Sequence, residues 1–212
     1  MPRFMAHRHV ETVEKRTLLC CKFQCGYCAQ KYGWLHTSHF AFFYNLMLVS
    51  TKKLLLKANK GKYAVPAFNM NNLEILQGIV AGAEKMKSPV IIQTSEGAIE
   101  YAGMENLASL FYNAAKKTKI PMALHFEHGK NLKTVLLALK SGWYQSVMYD
   151  GSSLPYKENV ANTKKVVKMA HARGVSVEAE LGAIPGKEDN VDVHQREASY
   201  TNPHQALDFV NR

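Results

Sequence analysis

The sequence lacks a hydrophobic segment that is long enough to cross a membrane. Its longest apolar stretch, residues 40–49, is about half of the ~20 residues that a bilayer helix needs, and it contains Asn45. The stretch lies far from Met1 and is followed by Lys52 and Lys53 rather than by a small-residue cleavage site, so we expect no signal peptide. These absences predict a cytoplasmic protein that does not associate with membranes.

Cysteine is absent after residue 28, and acidic side chains are scarce. The four cysteines crowd into residues 20–28, which excludes a disulfide framework spread along the chain. The chain has 27 Lys and Arg against 17 Asp and Glu, which gives a formal net charge of +10. From residue 47 onward the positive excess is evenly spread, which weakly favours anionic substrates and argues against a nucleic-acid groove.

The amino-acid composition changes at residue 46. A chain of 212 residues suffices for one domain, or for one domain with an extension. Residues 1–46 contain all four cysteines and many aromatic side chains, but no sustained helical or strand period. We interpret residues 1–46 as an extension for which the sequence predicts no particular fold, or as a misassigned upstream start. Residues 47–212 are interpreted as a globular domain.

Strands and helices alternate along this domain. Short apolar runs predict five strands, Tyr63–Phe68, Val90–Gln93, Met122–His125, Gln145–Tyr149 and Val175–Glu180. Apolar residues at helical spacing lie between them, for example after a helix start at residues 71–72, and a single helix is predicted between the second and third strands. This alternation is typical of an α/β fold with parallel strands joined by helical crossovers.

Polar side chains lie at or just beyond the carboxyl ends of the predicted strands. They are Asn69, Ser95, Glu96, Glu127, His128, Asp150 and Glu180. In a parallel sheet these ends form one rim, where α/β enzymes place their active sites. Asn69 and Ser95 are equally well explained as helix caps, because their residue types cap helices well. Glu180 follows a buried-looking run and would be costly there without a partner or a metal.

Several blocks of this domain resemble the class II, metal-dependent fructose-bisphosphate aldolases, including their ketose-bisphosphate aldolase relatives. The blocks are Ala64–Glu74, Ser88–Gly97, Ala123–Gly129, Ser146–Ser152 and Val177–Gly182. The resemblance implies a TIM (β/α)8-barrel of which only about the first five βα units are present. It also implies a homodimer or higher homo-oligomer in the intact family.

The resemblance further implies a metal site. His128 matches the family's first catalytic zinc ligand, and imidazole nitrogen is a suitable donor for Zn²⁺. A lone histidine at a strand end would more simply be interpreted as a hydrogen-bonded structural residue. Asp150 and Glu180 match acidic residues that hold a second divalent metal in some members, and oxygen donors suit such an ion.

Other working positions of the family are matched by two glutamates and two smaller polar residues. Glu127 stands where the family has an aspartate that exchanges a proton with a substrate oxygen; a misplacement on the order of 1 Å by its extra methylene can cost about 100-fold in rate. Glu188 matches the glutamate of a mobile loop that takes a proton from dihydroxyacetone phosphate. Asn69 and Ser95 match positions near the substrate.

The activity implied by the resemblance is a reversible, zinc-dependent aldol cleavage. Fructose 1,6-bisphosphate, or a related ketose bisphosphate, would yield dihydroxyacetone phosphate and glyceraldehyde 3-phosphate. The family's other zinc histidines and its phosphate-binding segments follow the position of Arg212, and His171, His194 and His204 do not lie at predicted strand ends. A non-catalytic aldolase-like fragment is therefore the alternative function.

Three cysteines suggest a different chemistry for the extension. Cys21, Cys25 and Cys28 form a C-x₃-C-x₂-C pattern similar to the cluster-binding motif of radical S-adenosylmethionine enzymes, which makes iron–sulfur binding a further alternative. A zinc knuckle completed by His36 or His39, a chance cluster, or ordinary reduced thiols explain the same residues more simply.

Overall fold

The structure is a computed structural model, and it describes residues 47–183, 186–188, 191–193 and 200–212. The described residues all belong to one compact unit, Asn45–Arg212. The predicted extension at residues 1–46, with Cys21, Cys25 and Cys28, lies outside the described residues, as does His194.

Helices and strands alternate along the described chain. In order they are α1 (Thr51–Gly61), β1 (Ala67–Asn69), α2 (Leu73–Met86), β2 (Val90–Ser95), α3 (Glu96–Ala102), α4 (Met104–Ala115), β3 (Met122–Gly129), α5 (Leu132–Ser141), β4 (Ser146–Tyr149), α6 (Tyr156–His171), β5 (Ser176–Ala179), β6 (Gly186–Glu188), β7 (Val191–Val193) and α7 (Pro203–Asn211). Strands β1 to β5 form one parallel sheet in sequence order, and β6 pairs with β7 in an antiparallel hairpin. The predicted α/β fold with five parallel strands is therefore confirmed.

Amide side chains begin several of these helices. At the start of α2, Asn72 Oδ1 accepts a hydrogen bond from the backbone amide of Ile75 at 2.9 Å. Asn131 and Asn202 cap α5 and α7 in the same manner. Each cap satisfies a backbone donor that has no partner within its own helix, which places the helix start at a defined residue.

One face of the sheet forms the main hydrophobic core. The strand residues on this outer face are Val90, Ile92, Met122, Leu124, Phe126 and Val147, all buried. Helices α2, α4, α5 and α6 cover them with buried side chains such as Leu76, Phe111, Leu139 and Val166. Complete burial of one side chain of this size contributes roughly 1.5–3 kcal/mol, so this layer supplies most of the folding energy.

The opposite, inner face is mostly polar. Its neighbouring pairs on β2 and β3 are Ile91 with Ala123, Gln93 with His125, and Ser95 with Glu127. Ile91 and Ala123 pack with Leu54 of α1 in a small separate cluster. Because side chains alternate along a strand, the polar pairs follow on the same face towards the carboxyl ends of the strands.

Several elements differ from the sequence predictions: α1 was not predicted, and β1 covers Ala67–Asn69 rather than Tyr63–Phe68. The single helix predicted between β2 and β3 is two helices, α3 and α4, which meet at Gly103 in a positive-φ conformation (φ 82°). Strand β3 does not end at His125 but continues to Gly129, because β4 provides pairing partners for its last residues. The segment predicted as a loop around Glu188 contains the β6–β7 hairpin.

None of the helices among the described residues is long and apolar enough to cross a membrane.

Candidate active site

Three potential metal ligands converge at the carboxyl ends of β3, β4 and β5. His128 lies near the end of β3, while Asp150 and Glu180 directly follow β4 and β5. Because these strands are adjacent and parallel, their ends meet at one rim of the sheet. One donor atom from each of the three residues lies within 4.8 Å of the others. The structure thus brings together His128, which the resemblance matches to a zinc ligand, and Asp150 and Glu180, which it matches to ligands of a second metal.

The distances within this cluster suit a divalent ion. His128 Nδ1 lies 3.4 Å from Asp150 Oδ2 and 3.5 Å from Glu180 Oε2. Two donors that each lie about 2.0–2.2 Å from one tetrahedral ion are roughly 3.3–3.6 Å apart, so these separations fit zinc. One imidazole and two carboxylates also form a donor set that zinc accepts, with a fourth position left for water or substrate.

Neighbouring groups hold the two acidic ligands in place. Asp150 Oδ1 accepts hydrogen bonds from the hydroxyl and the backbone amide of Ser152, at 2.6 and 3.1 Å, so its Oδ2 is left to face His128. The amide nitrogen of buried Asn159 donates to the backbone carbonyl of Glu180 at 2.9 Å. Such outer contacts orient metal ligands, and their loss typically weakens metal binding.

The Asp150 carboxyl is held in its ionised form. Burial by itself would raise its pKa, but hydrogen bonds from His128 and Ser152 and the positive charge that His128 can carry outweigh burial and lower the pKa to about 2. A carboxylate that remains ionised at neutral pH is the form that binds a metal.

The backbone of β3 is distorted at His128. Its φ of 45° lies in the left-handed region, and the pairing of β3 with β4 shifts register between Phe126 and Gly129. This bulge places Glu127 and His128 on the same rim although they are consecutive residues of one strand. Gly129 makes the bulge feasible, because a Cβ atom there would collide with Phe126 and Val135 and lie 2.8 Å from the carbonyl oxygen of Met148.

Glu127 lies beside the three potential metal ligands, and only 15% of its side chain is exposed. Its Oε2 accepts a hydrogen bond from Gln93 Nε2 at 2.5 Å and lies 2.8 Å from His125 Nε2, while its Oε1 lies 3.6 Å from His128 Nε2. Burial alone would raise the pKa of this carboxyl, but the neighbouring His125, together with His128 and Gln93, lowers the pKa below its ordinary value. Glu127 can therefore act as a proton acceptor at neutral pH.

The two residues predicted near the substrate have different surroundings. Ser95 is the register partner of Glu127, and its hydroxyl accepts from the backbone amide of Ala98 at 3.3 Å as the N-cap of α3. Asn69 ends β1, and its side chain is exposed; the cap of α2 is Asn72 instead. The cap interpretation thus applies to Ser95 and not to Asn69, and a substrate role stays a prediction for both.

Glu188 is the last residue of β6, and its side chain lies outside the described part of the structure.

Sequence reasoning missed the polar residues on the inner face below the rim. Gln93 donates a hydrogen bond to Glu127, His125 Nε2 lies 2.8 Å from the same carboxylate, and Ser146 of β4 forms a hydrogen bond with His125 Nδ1. The signal was present in β3, where Ala123, His125 and Glu127 are spaced two apart and therefore share a face. The neighbouring positions on β2 and β4 depend on strand register, which only the structure supplies.

Solved structures share this arrangement of strands and helices. One is a candidate fructose-1,6-bisphosphate aldolase from Coccidioides immitis, with TM-score 0.70 and 31% identity over 76% of this chain and 57% of that chain. Another is the YdjI aldolase from Escherichia coli K12, with TM-score 0.67 and 32% identity over 78% and 58%. A fructose-bisphosphate aldolase from Campylobacter jejuni, with TM-score 0.62 over 77% and 54%, is 24% identical and shows the fold alone.

The matches identify the family and show how much of its fold this chain covers. The chain spans only 54% to 58% of the length of these solved neighbours, so its five parallel strands correspond to part of the aldolase TIM-barrel fold. The family described as class-II fructose-bisphosphate aldolase matches residues 49–212, which include every described residue of the candidate site. The chain therefore belongs to the class II fructose-bisphosphate aldolase family.

Proposed function

We propose that this chain contributes the amino-terminal part of a zinc-dependent aldolase active site, with fructose 1,6-bisphosphate or a related ketose bisphosphate as the substrate. The observation that carries the proposal is the convergence of His128, Asp150 and Glu180 beside Glu127 on one rim of the sheet. Family membership supports a carbon–carbon lyase of the class II type. The evenly spread positive charge is compatible with an anionic sugar phosphate.

His128, Asp150 and Glu180 are the residues that would hold the ion. Zinc is proposed on the donor set and its spacing, and the two carboxylates could also take part in a second divalent site. When bound, the ion would supply Lewis-acid polarisation of the ketose carbonyl and stabilise negative charge near it.

Glu127 is the proposed proton acceptor in the cleavage direction. Its Oε1, on the metal side, would take the proton of the substrate's C4 hydroxyl as the C3–C4 bond breaks. The electron pair of that bond passes to C3, and C4 leaves as the carbonyl of glyceraldehyde 3-phosphate. Protonation of C3 then gives dihydroxyacetone phosphate, and we assign this proton transfer to Glu188. Ser95 and Asn69 are proposed to bind the substrate.

The whole protein would act in the cytoplasm as a homodimer or higher homo-oligomer, without nucleic-acid or membrane partners. A second candidate function is that of a non-catalytic aldolase-like protein; the potential metal ligands among the described residues include one histidine, His128. The iron–sulfur alternative rests on Cys21, Cys25 and Cys28 and stays a separate hypothesis for residues outside the described structure.

Calorimetric titration of the metal-free full chain with Zn²⁺ tests the metal site. We expect about one tightly held zinc ion per chain, with binding lost in His128→Ala and kept in the control His171→Ala, because His171 is exposed at the end of α6 and the rim lies next to the start of that helix. Equal binding by both variants would show that the zinc is held elsewhere.

Cleavage of fructose 1,6-bisphosphate by the zinc-loaded chain then separates the two candidate functions. A chelator-sensitive release of triose phosphate that is lost in Glu127→Gln supports the aldolase. A folded chain that holds zinc and releases no triose phosphate would establish the non-catalytic fragment. Absence of both binding and cleavage would reject the proposed site altogether.

A further inference from the structure

One buried asparagine lies between the chain segments that carry the two acidic ligands. Asn159 is the fourth residue of α6, and only 1% of it is exposed. Its Nδ2 donates to the backbone carbonyl of Glu180, the residue directly after β5, at 2.9 Å. Its Oδ1 lies against Gly151, which follows Asp150 after β4, so closely that a Cβ atom on Gly151 would collide with that oxygen. Asn159 thus contacts both segments although it belongs to neither.

Thr163 determines which way the Asn159 amide points. The Thr163 hydroxyl, one helical turn later and also buried, donates to Asn159 Oδ1 at 3.1 Å. A backbone carbonyl can only accept, so the atom that faces Glu180 must be the amide nitrogen. Both contacts therefore require the same orientation of the amide, and they give partners to a group that is buried away from water.

The contact with the Glu180 carbonyl holds the backbone from which a potential metal ligand extends. The pairing of β5 with β4 ends at Ala179, one residue before Glu180. The Glu180 side chain reaches from this point to His128, with Oε2 at 3.5 Å from Nδ1. A shift of the backbone would change that separation, and metal–ligand distances tolerate deviations of only about 0.2 Å.

We propose that Asn159 is a positioning residue of the metal site. Its amide, oriented by Thr163, clamps the Glu180 backbone against the segment after Asp150 and so sets the spacing of the two acidic ligands before an ion binds. Gly151 leaves the space that Asn159 fills. Asn159 acts through Glu180 and is not itself a ligand. The inference rests on the proposed function insofar as the site is taken to hold zinc.

Nuclear magnetic resonance of the full chain without metal tests the clamp itself. The side-chain amide of Asn159 should exchange slowly with solvent, because it is buried and hydrogen-bonded, whereas that of exposed Asn71 should exchange rapidly. Asn159→Leu removes the donor and keeps the approximate size of the side chain. In this variant the carbonyl ¹³C resonance of Glu180 should move upfield, because the carbonyl loses its hydrogen bond.

Asn162→Leu is the matched control. Asn162 lies three residues later in the same helix, and its amide donates to the Tyr149 hydroxyl at 3.1 Å rather than to the backbone of a ligand. The same substitution there also removes an amide donor from α6. It should leave the Glu180 carbonyl resonance where it is in the wild type.

Zinc titration then measures the effect on the site. The dissociation constant of Asn159→Leu should be roughly 10- to 100-fold larger than that of the wild type, as is typical when an outer contact of a metal ligand is lost. Thr163→Val, which keeps the shape of the side chain but removes the orienting hydroxyl, should give a smaller increase. Asn162→Leu should bind zinc as tightly as the wild type. Urea unfolding without zinc identifies conditions in which every variant is folded, so that weaker binding cannot arise from unfolded chain.

Rapid exchange of the Asn159 amide in the wild type, or an unchanged Glu180 resonance in Asn159→Leu, would overturn the clamp. Equal zinc affinity of Asn159→Leu and the wild type would also overturn it, and would leave the proposed metal site intact if His128→Ala has lost the ion. A wild-type chain that binds no zinc would instead refute the proposed function, and the positioning role with it. If Asn159→Leu does not fold, the exchange rate in the wild type and the zinc affinity of Thr163→Val decide the matter.

Discussion

At the scale of single residues, the site depends on small departures from regular strand geometry. His128 turns towards Asp150 and Glu180 through a left-handed backbone conformation that costs energy in most residue types. Gly129 follows it in a space too tight for a side chain. A bulge of this kind re-aims functional side chains, and the surrounding core must hold it in place.

Gly129→Ala is expected to destabilise the domain. The added Cβ would meet Phe126, Val135 and the Met148 carbonyl in a packed core, and overpacking of this kind costs about 1–3 kcal/mol. The control Gly78→Ala lies inside α2 with open space around the new Cβ, and it should be neutral or stabilise by roughly 0.5–1 kcal/mol. Urea unfolding of both variants measures the difference, and equal free energies of unfolding would refute the steric argument.

Because Tyr144 is buried, the stability of the domain should decrease at alkaline pH. Burial raises the pKa of its hydroxyl to about 12, and this outweighs the hydrogen bond with Thr94 at 2.9 Å. The unfolded chain releases this proton near pH 10, so the contribution of the neutral phenol is complete below pH 10 and is lost as the pH rises towards 12. Between pH 9 and 11 the free energy of unfolding should fall by roughly 1 kcal/mol more than in Tyr144→Phe. If urea unfolding gave the same pH dependence for the two proteins, that result would contradict the raised pKa of Tyr144.

At the scale of elements, capping residues and glycine determine where helices begin and end. Apolar spacing predicted helices in the correct places, but the spacing continues through Gly103, where α3 and α4 separate. The break was not visible in periodicity, because a single residue with positive φ changes the direction of the chain without changing its hydrophobic pattern.

Asn72→Ala should destabilise the start of α2. Its side chain satisfies the backbone amide of Ile75, and loss of an N-cap typically costs about 1 kcal/mol. Asn71→Ala provides the matched control, since Asn71 is exposed and precedes the cap position. Thermal and urea unfolding would measure the effect, and a loss of stability in Asn71→Ala equal to that in Asn72→Ala would argue against the cap.

At the scale of the whole molecule, the parallel sheet separates stability from chemistry. The outer face and its helices form the apolar core, whereas the inner face and the carboxyl rim carry the polar residues. The three potential metal ligands come from three successive strands, so a bound ion would join β3, β4 and β5 at the rim.

Zinc should therefore stabilise the folded domain as a unit. A ligand that binds only the folded state at a concentration 100 times its dissociation constant contributes about 2.7 kcal/mol, and a chelator should remove that increment. Asp150→Asn should reduce the increment, because it replaces one anionic oxygen donor while keeping the shape of the side chain. Urea unfolding with and without zinc measures it, and an equal increment in Asp150→Asn would exclude Asp150 as a ligand.

The sequence by itself determined the order of the five parallel strands, most of the helices between them and the positions of the polar strand ends. Hydrophobic periodicity is local, and parallel strands place their carboxyl ends together whatever the details of their packing. For this reason His128, Asp150 and Glu180 could be placed on one rim before their distances were known, whereas their interpretation as metal ligands came from the family resemblance.

Tertiary structure alone decided which inner-face residues contact Glu127 and how β3 bends at His128. Gln93 of β2 contacts Glu127 and Ser146 of β4 contacts His125, and both contacts depend on a register set by the packing of the complete sheet. Next to the left-handed turn at His128, neighbours from β4 and α5 likewise leave no room for a side chain at Gly129. Such long-range constraints leave no periodic signal in the sequence, because the residues that create them are distant along the chain.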